Sequence, residues 1–240
     1  MIQTLHRAAI AKKADTGGGF SPPDIAGLVL WLDASQEVLE GTGPDDPAEP
    51  GDTVTMWRDQ SGNNNDPDSL TSATYQTTPD RVVLAGVRDQ IKYNTTNPIR
   101  PANATSFFVF KQTGGTSMML LAGTGAQTLG TAHQGSASAS LHASAGSPSY
   151  YTDGVLSTAV TRDDLWTEWA TGNTTVVTAH NHVLQAWTSE LLIHTYPHLS
   201  LFHLTGDSLE ILIYDSNLST DDRQTVETYL GDRHGVTITH

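Results

Sequence analysis

Ser208-Leu209-Glu210-Ile211-Leu212-Ile213-Tyr214-Asp215-Ser216-Asn217-Leu218-Ser219-Thr220-Asp221-Asp222-Arg223-Gln224-Thr225-Val226-Glu227-Thr228-Tyr229-Leu230-Gly231-Asp232-Arg233-His234-Gly235 joins two hydrophobic periods through one turn. Leu209, Ile211 and Ile213 alternate with Glu210, Leu212 and Tyr214, and the β-branched and aromatic content predicts a strand over 208–214 buried on at least one face. After Asp215-Ser216-Asn217, Ser219 stands as an N-cap with Asp222 three residues on, and Leu218 sits where a hydrophobic staple belongs. Val226, Tyr229, Leu230 and Arg233 follow helical spacing, and Gly235 is placed to end the helix in a left-handed conformation. The chain therefore closes with strand, turn and one amphipathic helix.

Working outward, 240 residues suffice for one large β domain with a sizeable core, or for two small domains. The formal net charge of −14 repels phosphate backbones, and no basic patch offsets it, so nucleic acid is not an expected partner. The absence of cysteine excludes disulfides and thiolate metal sites and leaves the compartment open. No apolar run approaches the ~20 residues that span a bilayer, and the Met1 region lacks the apolar core of a signal peptide. No membrane association is expected.

Residues 1–23 are small and polar, hold three of the twelve Lys and Arg (Arg7, Lys12 and Lys13), and are set apart by Gly17-Gly18-Gly19 and Ser21-Pro22-Pro23. They read as an N-terminal arm, disordered alone and ordered by a partner, with the body over 24–240. From Leu28 to Ala34 a short apolar run reads as a core strand, followed by an acidic, Pro/Gly-rich loop over 36–52. Short strands are then expected at 53–57, 81–84, 105–111, 117–121, 137–141, 155–160, 166–170, 174–178, 182–187 and 199–204. This rhythm with Gly, Asn, Asp and Pro between strands predicts an all-β sandwich or jelly roll.

Three segments resemble the concanavalin A-like lectin/glucanase superfamily in its LamG-like form, common in phage structural proteins and bacterial surface proteins. They are Leu30-Trp31-Leu32-Asp33-Ala34-Ser35; Trp57-Arg58-Asp59-Gln60-Ser61-Gly62-Asn63-Asn64-Asn65; and Leu209 to Asp215 with Leu218-Ser219 and Tyr229-Leu230. The resemblance covers about 26–236, with 70–200 matching in strand rhythm only, and Val83-Leu84-Ala85-Gly86 replaces the usual Phe-Asp-Gly segment. It implies an all-β, two-sheet antiparallel jelly-roll sandwich with one C-terminal α-helix and an extended N-terminal arm. Physically, Trp31 and Trp57 are large enough to fill the space between two sheets, and Asp33 and Asp59 are placed to accept loop amides and tie the two segments together.

Relatives in that superfamily often hold calcium at a sheet edge, so Asp59, Asn63, Asn65 and Asp66, with Asp68, are candidate calcium ligands, calcium being the one cofactor considered. A solvated Asn/Asp loop explains the same letters, and the spacing is not that of an EF-hand. His180, His182, His194, His198 and His203 lack zinc spacing and read as sheet-surface imidazoles that could make an assembly acid-sensitive. No Glu is followed two residues later by Asp, so the superfamily's Glu-x-Asp-x-Glu catalytic strand is absent, and Glu210 reads as a structural acid. No nucleophile elbow is present, and Gly123-Thr124-Gly125 lacks the rest of a dinucleotide fingerprint. Tyr150, Tyr151 and Trp187, with Asn173 and Asn181, are candidate glycan-binding residues if they share a concave face, and core packing explains the aromatics equally well.

The resemblance thus implies a non-enzymatic virion protein, a capsid decoration or cement protein or a tail-associated one. Its lectin-like domain would be displayed on the virion surface after assembly in the host cytoplasm. The arm residues Arg7, Lys12 and Lys13 would grip other virion proteins, and the domain would form a homo-oligomer such as a trimer. The alternatives are a carbohydrate-binding module for host or environmental glycans, and a glycan hydrolase or lyase whose carboxylates come from distant strands.

Overall fold

The computed structural model describes residues 19–40, 46–85, 90–93, 99–123, 127–142, 145–185, 190–195 and 203–240. In chain order the strands are β1 (Leu28–Asp33), β2 (Val38–Glu40), β3 (Val54–Trp57), β4 (Ser69–Thr71), β5 (Thr74–Gln76), β6 (Arg81–Leu84), β7 (Gln90–Tyr93), β8 (Ala104–Gly114), β9 (Ser117–Gly123), β10 (Gln127–His133), β11 (Gly146–Thr152) and β12 (Val155–Leu156). Helix α1 (Arg162–Trp169), β13 (Thr174–His182), β14 (Leu191–Ile193), β15 (Thr205–Tyr214) and helix α2 (Thr220–His234) complete the chain. An eight-stranded antiparallel sheet runs β12-β11-β13-β8-β15-β6-β5, with β1 on the same side of β15 as β6. A five-stranded sheet runs β10-β9-β14-β7-β4, and β2–β3 form a separate hairpin.

The two larger sheets enclose the main core, to which Leu30, Leu32, Trp57, Ile91, Tyr93, Phe108, Phe110, Leu120, Trp169, Ile211 and Ile213 contribute. The opposite face of the eight-stranded sheet is also covered. There α2 lays Val226 and Leu230 on Phe107, Val109, Val176, Leu212 and Tyr214. With both faces buried, the middle of β8 shows no polar alternation.

The expected closing unit forms as the sequence indicates. Ser219 Oγ accepts Asp222 N at 3.1 Å, Leu218 is buried, and Gly235 ends α2 at φ 69°. A fifteen-residue helix is marginal by itself in water. Burying Val226 and Leu230 contributes about 1.5–3 kcal/mol each and fixes α2 to the sheet.

Three expectations are corrected. Residues 166–170 are not a strand but belong largely to α1, which Thr161 and Asp164 start with a reciprocal capping box. Residues 137–141 form no strand, and of 155–160 only Val155–Leu156 does. Trp31 does not fill the space between the sheets; it lies on the outer face with the α2 cluster, while Trp57 is fully buried in the intersheet core. Near the end of the expected arm, Pro22 is buried and Phe20 and Ile25 pack against the α2 cluster.

Candidate functional site

The densest polar constellation is a buried one centred on Glu210, fully excluded from solvent on β15. A β-bulge puts it there. Ser208 faces the intersheet core, where its hydroxyl meets His194 Nε2 at 3.1 Å, yet Glu210, two residues on, faces α2. The register shift between Ser208 and Glu210 against β8 inserts Leu209 and reverses the alternation. Glu210 Oε1 accepts Trp31 Nε1 at 2.7 Å, and Oε2 lies 2.7 Å from His234 Nε2 and 3.2 Å from Arg233 Nε.

Asp33, the register partner of Glu210 across β1 and β15, completes the cluster. Its Oδ2 pairs with Arg233, and its Oδ1 accepts Ser35 N and Ser35 Oγ at 2.9 Å each. Burial pushes the Asp33 carboxyl up, the Glu210 charge adds to this, and Arg233 opposes it. For Arg233, burial alone would lower the pKa, but Glu210 and Asp33 outweigh it and hold the guanidinium firmly charged. Two carboxylates sharing one guanidinium have the proximity that glycan hydrolysis needs, but at 1% and 0% exposure under α2 neither reaches a substrate. What the arrangement does is bind the first strand, the last strand and the last helix through charge-assisted hydrogen bonds.

The residues considered for calcium form a loop clamp. Asp59 Oδ1 accepts Trp31 N and Ser61 N at 2.9 Å, and Oδ2 accepts Ser61 Oγ at 2.7 Å and Asn65 N at 2.9 Å. Asn63 and Asn65 donate their amide groups to the Leu28 and Val29 carbonyls at 2.9 and 2.7 Å, and Asp66 accepts Asp59 N at 2.7 Å and pairs with Arg58 at 3.6 Å. The side chains thus turn toward backbone groups of β1 and of their own loop rather than converging on one point. Asp59 ties the two tryptophan segments together as its position indicates, reinforced by Gln60 N on Trp31 O at 2.7 Å. Beneath this loop, Trp57 Nε1 and the Tyr93 hydroxyl are buried with no hydrogen-bond partner among the described residues.

The described members of the glycan-binding set are not brought together. Tyr150 is buried in the core, edge-on to Trp169, with its hydroxyl accepting Gly130 N at 2.8 Å. One face of the Tyr151 ring is covered by the Arg223 guanidinium 3.8 Å from its centroid. Asn173 and Asn181 are exposed near opposite ends of β13, about 25 Å apart at ~3.3 Å per residue. Trp187 lies outside the described residues, as do Arg7, Lys12, Lys13 and His198. His182 and His194 are not surface imidazoles: burial holds both down to about 3. His182 Nε2 meets Ser106 Oγ at 2.8 Å, but the pair is buried and has no acid partner on Nδ1 among the described residues, so there it forms a packed contact.

A second buried charge, Glu227 of α2, sits against β13. Glu227 Oε1 accepts the Thr178 hydroxyl at 2.7 Å, and Oε2 pairs with Arg223 and lies 3.5 Å from His240 Nδ1. His240 arrives there because the last residues fold back as a strap, with Val236 N on Gly231 O and Thr239 N on Asp153 O, both at 2.9 Å. Apart from the i, i+4 pair of Arg223 and Glu227, no local spacing in the sequence signals these acid clusters, since each draws on segments far apart in the chain. A scan of protein-family models and a search of curated protein sequences found no match to this chain.

Proposed function

We propose that this chain is a non-enzymatic structural protein of a tailed-phage particle: a lectin-like jelly-roll domain displayed on the virion surface and anchored by its N-terminal residues to other virion proteins. The observation that carries this reading is how the residues that follow the expected arm are held. Phe20 packs edge-on against Tyr229 with ring centroids 5.6 Å apart, and Pro22 O accepts the Tyr214 hydroxyl at 2.9 Å. Residues 20–22 are thereby fixed on the α2 face, as the root of a tether to a larger structure requires.

Support for the lectin-like part comes from the three segments that carry the resemblance. Asp59 links the two tryptophan segments, and Glu210 links the first of them to the closing strand and helix. Support for a non-enzymatic role comes from Asp33, Glu210 and Glu227, whose carboxylates are buried and engaged by protein groups. The test fuses residues 1–18 to an unrelated monomeric domain and asks whether particles of the encoding phage take up the fusion. Uptake is expected. Exclusion of the fusion while the full chain is incorporated contradicts anchoring, and release of reducing sugar from a polysaccharide by the purified chain contradicts the non-enzymatic part.

A further inference from the structure

Imidazoles lie on both sides of the eight-stranded sheet, and a proton acts on them in opposite senses. On the outer side they stand beside buried carboxylates: His234 Nε2 lies 2.7 Å from Glu210 Oε2, and His240 Nδ1 lies 3.5 Å from Glu227 Oε2. A proton gained there sets a cation against an anion and tightens the hold on α2. Between the sheets the surroundings are different.

His194 sits there and joins the two sheets. Its N–H donates to Leu120 O of β9 at 3.0 Å, and its carbonyl accepts Leu204 N at 2.8 Å. The ring bonds the Met119 backbone of β9 and meets Ser208 Oγ of β15 at 3.1 Å, so one side chain spans from the five-stranded sheet to the eight-stranded one. Phe108 and Phe110 of β8 stand edge-on to it, each with ring centroids 5.9 Å away. The other buried imidazole spans no such gap, since His182 and Ser106 belong to β13 and β8, which pair along the whole of β13 within one sheet.

A charged His194 has no counterion among the described residues around it. Of the ionisable side chains on the neighbouring elements, Lys92 of β7 and Glu190 pair with each other at 2.6 Å. Asp207 lies on the opposite side of β15 from Ser208, 3.4 Å from Arg81 and drawn also by Lys111 of β8. His203, opposite Thr195, is itself an imidazole. Burial accordingly holds His194 down to about 3.

The backbone is strained at the same residue. His194 has φ 63°, a left-handed conformation that a side chain other than glycine keeps only where its surroundings hold it. β14, which leads into it, is three residues long, so a short ladder keeps this end closed. Opening it brings the ring to water and relieves the strain.

We infer that His194 is an acid-operated pin between the sheets: when it takes a proton, the end of β14 parts from β9 and β15 while α2 stays seated. This inference does not rest on the virion reading. Each opening takes up one proton that the closed form refuses, so the opening constant rises about tenfold per pH unit below ~6.5.

Native-state amide exchange in the full chain, with and without urea, tests this. The opening constant at the His194 and Leu204 amides is expected to rise about tenfold per pH unit from ~6.5 to ~4.5, with little dependence on urea. The Leu230 amide of α2 is expected to stay more protected throughout and to exchange in openings that urea promotes. His194→Gln is expected to remove the pH dependence at Leu204, and His203→Gln to retain it. Should the first variant unfold, the wild-type comparison decides alone. His194 and Leu204 amides that share the opening constant and urea dependence of Leu230, or an opening constant that does not change with pH, overturn the proposal. So does a rise that survives His194→Gln, or one that His203→Gln abolishes.

Discussion

The indole N–H of Trp31 donates to Glu210 Oε1 at 2.7 Å across 179 residues of sequence. The same carboxylate receives His234 and Arg233, so one acid on the last strand holds the first strand and the last helix together. Removing one partner of a buried charge pair leaves the others desolvated and unpaired.

Glu210→Ala is therefore expected to lower unfolding free energy by about 3–5 kcal/mol. Trp31→Phe removes one donor and is expected to cost less, about 1–2 kcal/mol from the hydrogen bond. Urea denaturation followed by circular dichroism reads both. A Glu210→Ala loss below that of Trp31→Phe would mean that Glu210 is not the centre of the cluster.

The buried imidazoles set a pH dependence. Burial holds His182 and His194 at about 3, whereas the unfolded chain titrates them near ~6.5. Above that pH both states are neutral and contribute nothing. As pH falls from ~6.5 toward ~3, the unfolded chain binds protons the folded one refuses, so stability declines by up to ~1.4 kcal/mol per pH unit for each histidine. Asp33, raised by burial, works in the opposite sense: the folded state takes its proton first, which offsets part of the loss at the acid end. Urea midpoints are expected to fall between pH 6.5 and pH 4, and His194→Gln is expected to make that fall shallower. An equal slope in the variant would contradict the burial argument.

Gly231 lies inside α2, where Gly→Ala ordinarily stabilises by ~1 kcal/mol. Here a Cβ would stand 2.7 Å from Val236 O and collide with Ile238 of the C-terminal strap. Gly231→Ala is expected to destabilise the full chain by about 1–3 kcal/mol through overpacking. In a chain ending at Gly235 the same change is expected to become neutral or stabilising. Amide exchange at Thr239, which donates to Asp153 O, reports release of the strap.

Asp59 accepts four hydrogen bonds, from Trp31 N, Ser61 N, Ser61 Oγ and Asn65 N. Asp59→Ala is expected to cost about 2–4 kcal/mol, since several amides lose a charged acceptor together. Because these side chains serve the backbone, calcium or a chelator is expected to leave Tm unchanged. A calcium-dependent rise in Tm that Asp59→Ala abolishes would restore the loop as a metal site.

Where the chain's chemistry is local, the sequence discloses the structure. Ser219, Leu218, Val226, Leu230 and Gly235 act within a few turns of one another, and α2 starts, packs and stops where they indicate. Helix α1 carried an equally local signal, Thr161 with Asp164, but Trp166 and Trp169 favour a strand on aromatic content alone. Only Leu165 and Trp169 of its eight residues are buried, too few for a visible helical period. The Glu210 cluster was not legible, because its geometry depends on a bulge at Leu209 and on residues from both ends of the chain. Trp31 was misplaced for a related reason: its sheet has a second buried face, made by α2 and the Phe20–Ile25 segment.

The most direct test of the tethering account compares the full chain with one beginning at Gly19. The shorter chain retains Phe20 and Pro22 on the α2 face, so its Tm and circular dichroism spectrum are expected to match those of the full chain. Incorporation into particles is expected to be lost. A shorter chain that is folded and incorporated as fully as the intact one would contradict the account.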